Sequence, residues 1–364
     1  MSIMYNLVGH GGFGFVVSPS IGDNEIDINF NTVSKIFLDH DEAEIEVTNH
    51  RIMDRIDPEH QFHIKMCNTN TNTNTILHTE LYKLNFPKYV YKNLPQQLSY
   101  SYINYEFGGL NLIDLFKNEG GKKHYSKTIY VHLCTQFLKI IHAIKNLLVN
   151  GYIHHDLKHN NILVDNNMTL KIIDLGLMEN IVNYYRYCVC EDNRNPMPVF
   201  EFFPFEIEYY NVKNYNNHAN IAINRNYTTK LDYLRNNYNW FFGIYEKNTY
   251  DNTYDNTYDK MIMAMSSTTH NDFLKASFYT FDIYTIGITL VYLTEQYAEI
   301  YIKNLYSSHH THCAATFEHQ YPEWLHFKSL YAIIVRMITP NVFERINIDE
   351  LITVFEQYIE LISQ

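Results

Sequence analysis

The stretch Ile153–Leu163, IHHDLKHNNIL, followed shortly by Lys171–Gly176, KIIDLG, decides how the rest of the chain is read. It sets Asp156, Lys158 and Asn161 close together, with a second aspartate, Asp174, beyond a short hairpin. Asp156 is suited to accept or orient a hydroxyl proton. Lys158 is suited to neutralise charge on a moving phosphoryl group. Asn161 and Asp174 offer oxygen ligands for Mg²⁺, a hard cation. A polar hairpin assembled by chance rarely carries all four groups in this order.

Working toward the N-terminus, the next part is GHGGFGFV, Gly9–Val16, which fits G-x-G-x-x-G-x-V through Gly9, Gly11, Gly14 and Val16. Glycine lets backbone amides approach phosphates closely where a Cβ would collide. A dinucleotide-binding fold would open a helix directly after the glycines. Here Phe13, Phe15, Val16 and Val17 instead continue as a strand. The run VSKIF then places Lys35 on a strand, with Val33 and Phe37 alternating against Ser34 and Ile36. The segment DEAEIEVTNHRIMDRI reads as a helix with the recurrence Ile45, Ile52, Ile56, stopping at Asp57-Pro58. It offers Glu42, Glu44 and Glu46 as partners for Lys35, of which Glu46 is favoured by its place ahead of Ile52 and Ile56.

Toward the C-terminus the character turns helical. Leu133, Phe137, Ile140, Ile141, Ile144 and Leu148 follow helical spacing, and Asn150-Gly151 ends that helix. IDELITVFEQYIELI is a second amphipathic helix. Strands first and helices later suggest an α+β chain of two lobes with a cleft between them. Two repeats, NTNTNTNT at Asn68–Thr75 and NTYDNTYDNTYD at Asn248–Asp259, read as expanded surface loops. The second sits in an Asn/Tyr-rich insertion at about 207–275.

Bulk properties bound the remaining choices. At 364 residues and a net charge of -12, the chain suits a two-lobed enzyme and is a poor generic nucleic-acid binder. Five cysteines without a CxxC pair argue for a reducing compartment. The apolar segment Phe278–Leu293 contains Asp282 and reads as a core helix rather than a membrane span. No secretory leader is expected from MSIMYNLVGHGG. HHTHC, His309–Cys313, is a secondary metal candidate, outweighed by its reading as a polar loop.

Taken together, these motifs resemble the eukaryotic-type protein kinase superfamily. His154, His155, Asp156, Leu157, Lys158 and Asn161 stand where that family has H-R-D-L-K-x-x-N, and Asp174-Leu175-Gly176 where it has D-F-G. The resemblance implies a strand-rich N-lobe over 1–105 and a helical C-lobe over 106–364. It implies ATP and Mg²⁺ as cofactors, with Mn²⁺ as the alternative ion, and a protein substrate presenting Ser or Thr. Asp156, Lys158 and Asn161 would be catalytic, and Asn161 and Asp174 would bind metal. Gly9, Gly11, Gly14, Val16, Lys35 and Glu46 would hold the nucleotide. INYEFGG would be the hinge, with Tyr105 as gatekeeper and the backbone of Glu106 and Phe107 on the adenine edge. Pro204-Phe205-Glu206 resembles A-P-E, with Glu206 pairing Arg345, and Asp282 to Gly287 resembles D-x-W-S-x-G.

Three departures qualify the resemblance. His155 replaces an arginine that often receives an activation-loop phosphate, and a mostly neutral His receives one weakly. Leu175–Phe205 holds no Ser or Thr, only Tyr184, Tyr185 and Tyr187 as hydroxyl candidates. Activity without Ser/Thr phosphorylation of that loop is therefore expected. The loop threonine that many Ser/Thr kinases place before A-P-E is also absent. The Asn-, Tyr- and Ile-rich style is similar to kinases of large DNA viruses, implying a host cytoplasm or virion setting. A small-molecule phosphotransferase is disfavoured by Phe202–Glu206 and by Asp282 to Gly287. A pseudokinase scaffold would need a hidden defect, since Lys35, Asp156 and Asp174 are all present.

Overall fold

The glycine-rich stretch forms a hairpin, not a helix entrance. Strand β1 (Asn6–Gly11) pairs antiparallel with β2 (Gly14–Ser18), and Gly9 faces Val16 across the ladder. Next come β3 (Thr32–Phe37), helix α1 (His40–Ile56), β4 (Met66–Leu77) and β5 (Gln97–Glu106). The strands form one antiparallel sheet in the order β1-β2-β3-β5-β4. The computed structural model describes residues 6–11, 14–21, 31–77, 97–117, 127–190, 202–218, 224–238, 241, 254–306 and 323–364.

Central β3 is buried at Val33, Ser34, Ile36 and Phe37 alike. The alternation in VSKIF therefore does not mark one wet face. Helix α1 starts at Asp39, whose side chain accepts the Asp41 N–H. It buries Ala43, Glu46, Val47, Asn49, His50 and Met53. Ile45, expected on the apolar stripe, is instead 50% exposed. The inward face is partly polar because it serves Lys35 and the Asp174 turn, described below.

The Asn68–Thr75 repeat is not a loop, as expected from its composition, but part of edge strand β4. Asn and Thr alternate with the strand's own two-residue period; β-branched Thr favours a strand, and backbone pairing to β5 overrides the weak β preference of Asn. Asn70 pairs with Tyr102 and Asn74 with Tyr100, so β4 carries two extra residues there as a bulge.

The chain divides into two compact units, Met1–Gly109 with Lys171–Gly176, and Leu110–Leu170 with Leu177–Gln364. The expected boundary after residue 105 thus moves to Gly109, and a segment expected in the second lobe joins the first. The physical reason is a set of hydrogen bonds. Ile172 N–H donates to the Phe62 carbonyl at 2.8 Å, Ile64 N–H donates to the Ile172 carbonyl at 3.2 Å, and the Asn49 amide donates to the Leu175 carbonyl at 2.7 Å.

The second unit is mainly helical. It begins with β6 (Leu110–Asn111), α2 (Leu112–Lys117) and α3 (Lys127–Val149). Helix α3 buries Leu133, Phe137, Ile140, Ile141, Ile144 and Leu148, as the spacing predicts, and Gly151 takes φ 78 just beyond it. Four short strands follow: β7 (Tyr152–Ile153), β8 (Ile162–Val164), β9 (Leu170–Ile172), whose last two residues belong to the first unit, and β10 (Glu179–Asn180). Within the second unit β7 pairs with β10, and β6 with β8.

Helix α4 (Ile181–Val189) leads toward the insertion. The insertion itself contains α5 (Val212–Asn216), α6 (Asn224–Asn237) and α7 (Tyr254–Met265). It is therefore not simply loop, since Tyr215, Leu231, Leu234, Tyr258, Met261 and Met265 enter the core. The last half of the NTYD repeat lies in α7, and Asn248–Thr253 falls outside the described residues.

The long helix α8 (His270–Tyr306) packs on α9 (Glu323–Ile338) and α3, while α10 (Ile348–Ser363) packs on α3 and α9. A Cβ on Gly287 would lie 2.6 Å from Ile338 Cγ2, so this glycine permits the α8–α9 approach. His270–Gln296 is long and apolar enough to cross a membrane, but 83% of its most apolar window is buried within the protein.

Candidate active site

In the first unit three elements meet at Lys35. Strand β3 carries Lys35, helix α1 carries Glu46, and the segment after β9 carries Asp174. Lys35 Nζ lies 2.5 Å from Glu46 Oε2 and 2.7 Å from Asp174 Oδ1. Burial works against the ammonium charge, but the two carboxylates outweigh it and raise the lysine pKa. The lysine is therefore a fixed positive charge. Of the three candidate acids, Glu46 is the one that meets it, while Glu44 is exposed on the other face of α1.

Tyr105 completes this set. Its buried hydroxyl donates to Glu46 Oε1 at 2.8 Å, leaving Oε2 for the lysine. Burial and the neighbouring Glu46 push the phenol pKa well up, which keeps it a donor. Neither this bond nor the Asn49 bond was foreseen from the sequence. The available signal was the inward spacing of Glu46 and Asn49 on α1, since buried polar side chains imply partners.

Asp174 adopts φ 64, a left-handed conformation that is uncommon outside glycine. Its side chain is 25% exposed, so the carboxylate on Lys35 is also partly open to solvent. Backbone strain at a polar residue is a marker of sites where geometry matters more than stability.

The glycines behave unequally. A Cβ on Gly14 would fall 2.1 Å from the Ile36 carbonyl oxygen, so this glycine is already required by β2–β3 packing. A Cβ on Gly9 would meet nothing within 4 Å. Gly11 ends β1, and Val16 pairs with Lys35 across the ladder. At the expected hinge, Glu106 N–H donates to the Lys65 carbonyl at 3.1 Å and Phe107 N–H to the Asn31 carbonyl at 2.8 Å. Both N–H groups are thus engaged within the chain.

The second unit gathers the other predicted residues. Lys158 Nζ is 2.8 Å from both oxygens of Asp156. Asn161 Nδ2 donates to Asp156 Oδ2 at 2.7 Å and to the Asp156 carbonyl at 2.9 Å. With its NH₂ group so used, Asn161 has its carbonyl oxygen left to accept a cation. Asn161 and Asp174 thus both present oxygen, the donor type a hard divalent cation requires.

A second layer holds this loop. Asp282 on α8 accepts the N–H groups of His154 at 2.8 Å and His155 at 3.0 Å. Burial pushes its carboxyl up to about 7, against the two bonds that hold it down. His155 adopts φ 66, and its ring lies between Tyr184 and Phe281, each with centroids 4.7 Å away. Burial lowers its pKa to about 3, so it is neutral and enclosed. Tyr184 is also buried, whereas Tyr187 is 43% exposed and Tyr185 bonds Asn271.

Glu206 and Arg345 form a bidentate pair at 2.6 and 2.9 Å, both side chains fully buried. Arg345 also donates to the Thr339 carbonyl and Thr280 Oγ1, and stacks 4.9 Å from the Tyr284 ring. The positions Glu206, Asp282 and Arg345 are thereby joined to one architecture.

The family of protein tyrosine and serine/threonine kinases matches this chain over residues 3–216. The chain belongs to that family. The match spans the glycine hairpin, Lys35, the Asp156 loop, Asp174 and Glu206. A search of curated proteins gives no match. Membership in the kinase family accords with protein phosphorylation as the class of activity, and with a strand-rich first region followed by helices. His309–Cys313 falls outside the described residues of this kinase.

Proposed function

We propose that this kinase is catalytically active and transfers the γ-phosphate of ATP to serine or threonine of a protein. The observation that carries the reading is Asp156, oriented through both carboxylate oxygens by Lys158 and through one by Asn161. A carboxylate so fixed can take the proton of an acceptor hydroxyl, and Lys158 beside it can offset charge on the transferred group. Lys158 is also the residue that favours Ser/Thr over Tyr acceptors in the family resemblance.

Lys35 supports nucleotide binding as a fixed cation for phosphate oxygens, kept in place by Glu46 and Tyr105. Asn161 and Asp174 would hold Mg²⁺, with Mn²⁺ as the alternative. Bound metal supplies charge neutralisation on the phosphates. The chain's own residues supply positioning and preorganised electrostatics, which carry most of the acceleration in such transfers. The competing scaffold reading needs a hidden defect, such as a misplaced helix glutamate or a blocking insertion, and Glu46 on Lys35 counts against the first. The enclosed, neutral His155 supports activity without a phosphate on Ser or Thr of the following segment.

Transfer of labelled γ-phosphate to generic proteins and to the chain itself tests this reading, with Asp156→Ala alongside and acid hydrolysis of the product. Phosphoserine or phosphothreonine from wild type alone is expected. Phosphotyrosine would overturn the acceptor class. ATP binding without transfer would favour a scaffold.

A further inference from the structure

A second polar cluster lies at the far end of α1, outside the groups proposed for phosphoryl transfer. Asp57 caps the helix and organises the turn after it. Its Oδ1 accepts the Gln61 N–H at 2.9 Å, and its Oδ2 accepts Phe62 N–H at 2.9 Å, His63 N–H at 3.3 Å and the His63 ring at Nδ1, 2.8 Å away. Within that turn His60 adopts φ 48.

Asp57 therefore fixes the His63 tautomer. Nδ1 carries the hydrogen, and Nε2 presents its lone pair on the other side of a fully buried ring. That lone pair faces Asp54 Oδ1 at 3.1 Å and His60 Nδ1 at 3.2 Å. Asp54 Oδ1 and His60 Nδ1 are themselves 3.7 Å apart. Three ligand-type atoms thus converge in a triangle. Bonds of about 2.0–2.1 Å to a tetrahedral zinc ion put neighbouring ligand atoms roughly 3.3–3.4 Å apart. The three observed edges bracket that value.

A lone pair opposite a carboxylate oxygen needs positive charge between them. A single proton can serve this contact, whereas a metal ion serves all three atoms together. The surroundings also favour a cation, because Asp54 and Asp57 lie at a helix C-terminus, where the helix dipole is negative. The carboxylate–histidine pairing of Asp57 with His63 is the usual outer support of a metal-bound imidazole.

We infer that Asp54, His60 and His63 form a binding site for a borderline transition-metal ion of the Zn²⁺ class. Two imidazoles select against Mg²⁺ and Ca²⁺, which prefer all-oxygen sites. The Asp54 and His60 side chains are 38% and 23% exposed, which gives solvent an approach to the fourth position. An ion there would tie the last turn of α1, the helix that carries Glu46, to the turn preceding β4. This inference stands independently of whether the chain transfers phosphate.

The test uses the full chain stripped with chelator and then titrated with Zn²⁺ by calorimetry, and with Co²⁺ by visible absorption. One equivalent of each metal, the intense absorption of tetrahedral Co²⁺ and a raised melting temperature are expected. Asp54→Asn and His60→Gln, both at partly exposed positions, should each weaken binding at least about tenfold, as losing a supporting or direct ligand does. A His309→Ala, His310→Ala, His312→Ala chain should bind as wild type. Unchanged affinity in Asp54→Asn and His60→Gln would move the metal elsewhere and overturn the inference. No binding to wild type would leave only a hydrogen-bonded network and overturn it equally.

Discussion

Lys35 and Arg345 each face a buried glutamate, yet their surroundings differ. Arg345 is enclosed, its guanidinium shared among Glu206, Thr280 and the Thr339 carbonyl, with the Tyr284 ring alongside. Lys35 divides its charge between Glu46 and a second carboxylate, Asp174, that is partly exposed and sits on strained backbone. The enclosed pair has the features of a structural lock, since a buried ion pair is tolerated only when its hydrogen-bonding groups are satisfied. The open group shares one lysine charge between two carboxylates, of which Asp174 is partly exposed, an arrangement suited to receiving a ligand. Burial of the glutamate alone does not separate architecture from function; the exposure and charge balance around it do.

The sharpest way to break this contrast is at Arg345. Arg345→Met should cost about 3–5 kcal/mol of stability, because it leaves Glu206 buried without its partner. Urea unfolding reads this, and adding Glu206→Leu to the same chain should recover part of the loss. A double variant as unstable as the single one would show that the pair matters through other contacts. At the open group the expected effect is on rate. Asp174→Ala should remove at least ~3 kcal/mol of transition-state stabilisation, roughly a hundredfold in turnover, with a small change in urea midpoint. Near-normal turnover would refute the metal role given to Asp174.

A third test concerns Asp282, another enclosed carboxylate. Its folded pKa, about 7, lies above the ordinary 3.8. The stability it contributes is therefore full below the ordinary value and is lost as pH rises through about 7. The stability of wild type relative to Asp282→Asn should fall between about pH 4 and about pH 8. A rise would mean that the two N–H bonds outweigh burial. The smallest effect is expected at Tyr105→Phe, which removes one hydrogen bond to Glu46 and should cost about 1 kcal/mol. It should also slow transfer modestly by loosening Glu46, which steady-state kinetics would detect.

Legibility in the sequence followed the locality of each feature. Asp156, Lys158 and Asn161 lie within six residues, and the short loop brings them together with little help from distant chain. Helix α3 was readable because its apolar spacing coincides with its buried face. Helix α1 was harder. Its apolar recurrence pointed to Ile45, whereas the core takes His50 together with Glu46 and Asn49, whose partners lie on other segments. The two N–H bonds at the expected hinge are illegible for the same reason, since Lys65 and Asn31, which accept from Glu106 and Phe107, are distant in sequence. Local composition also hid β4, because Asn and Thr repeats suggest loop until a neighbouring strand offers a ladder.

That ladder gives the repeat a mode of growth. A tandem unit of two residues has the same length as the repeat of an extended strand. The two-residue excess between Asn70 and Asn74 equals one Asn-Thr unit. Gain or loss of a whole unit shifts the edge strand by one full period and keeps Asn and Thr in phase with it. Replication slippage in steps of two codons can therefore lengthen or shorten this edge while the rest of the sheet keeps its pairing.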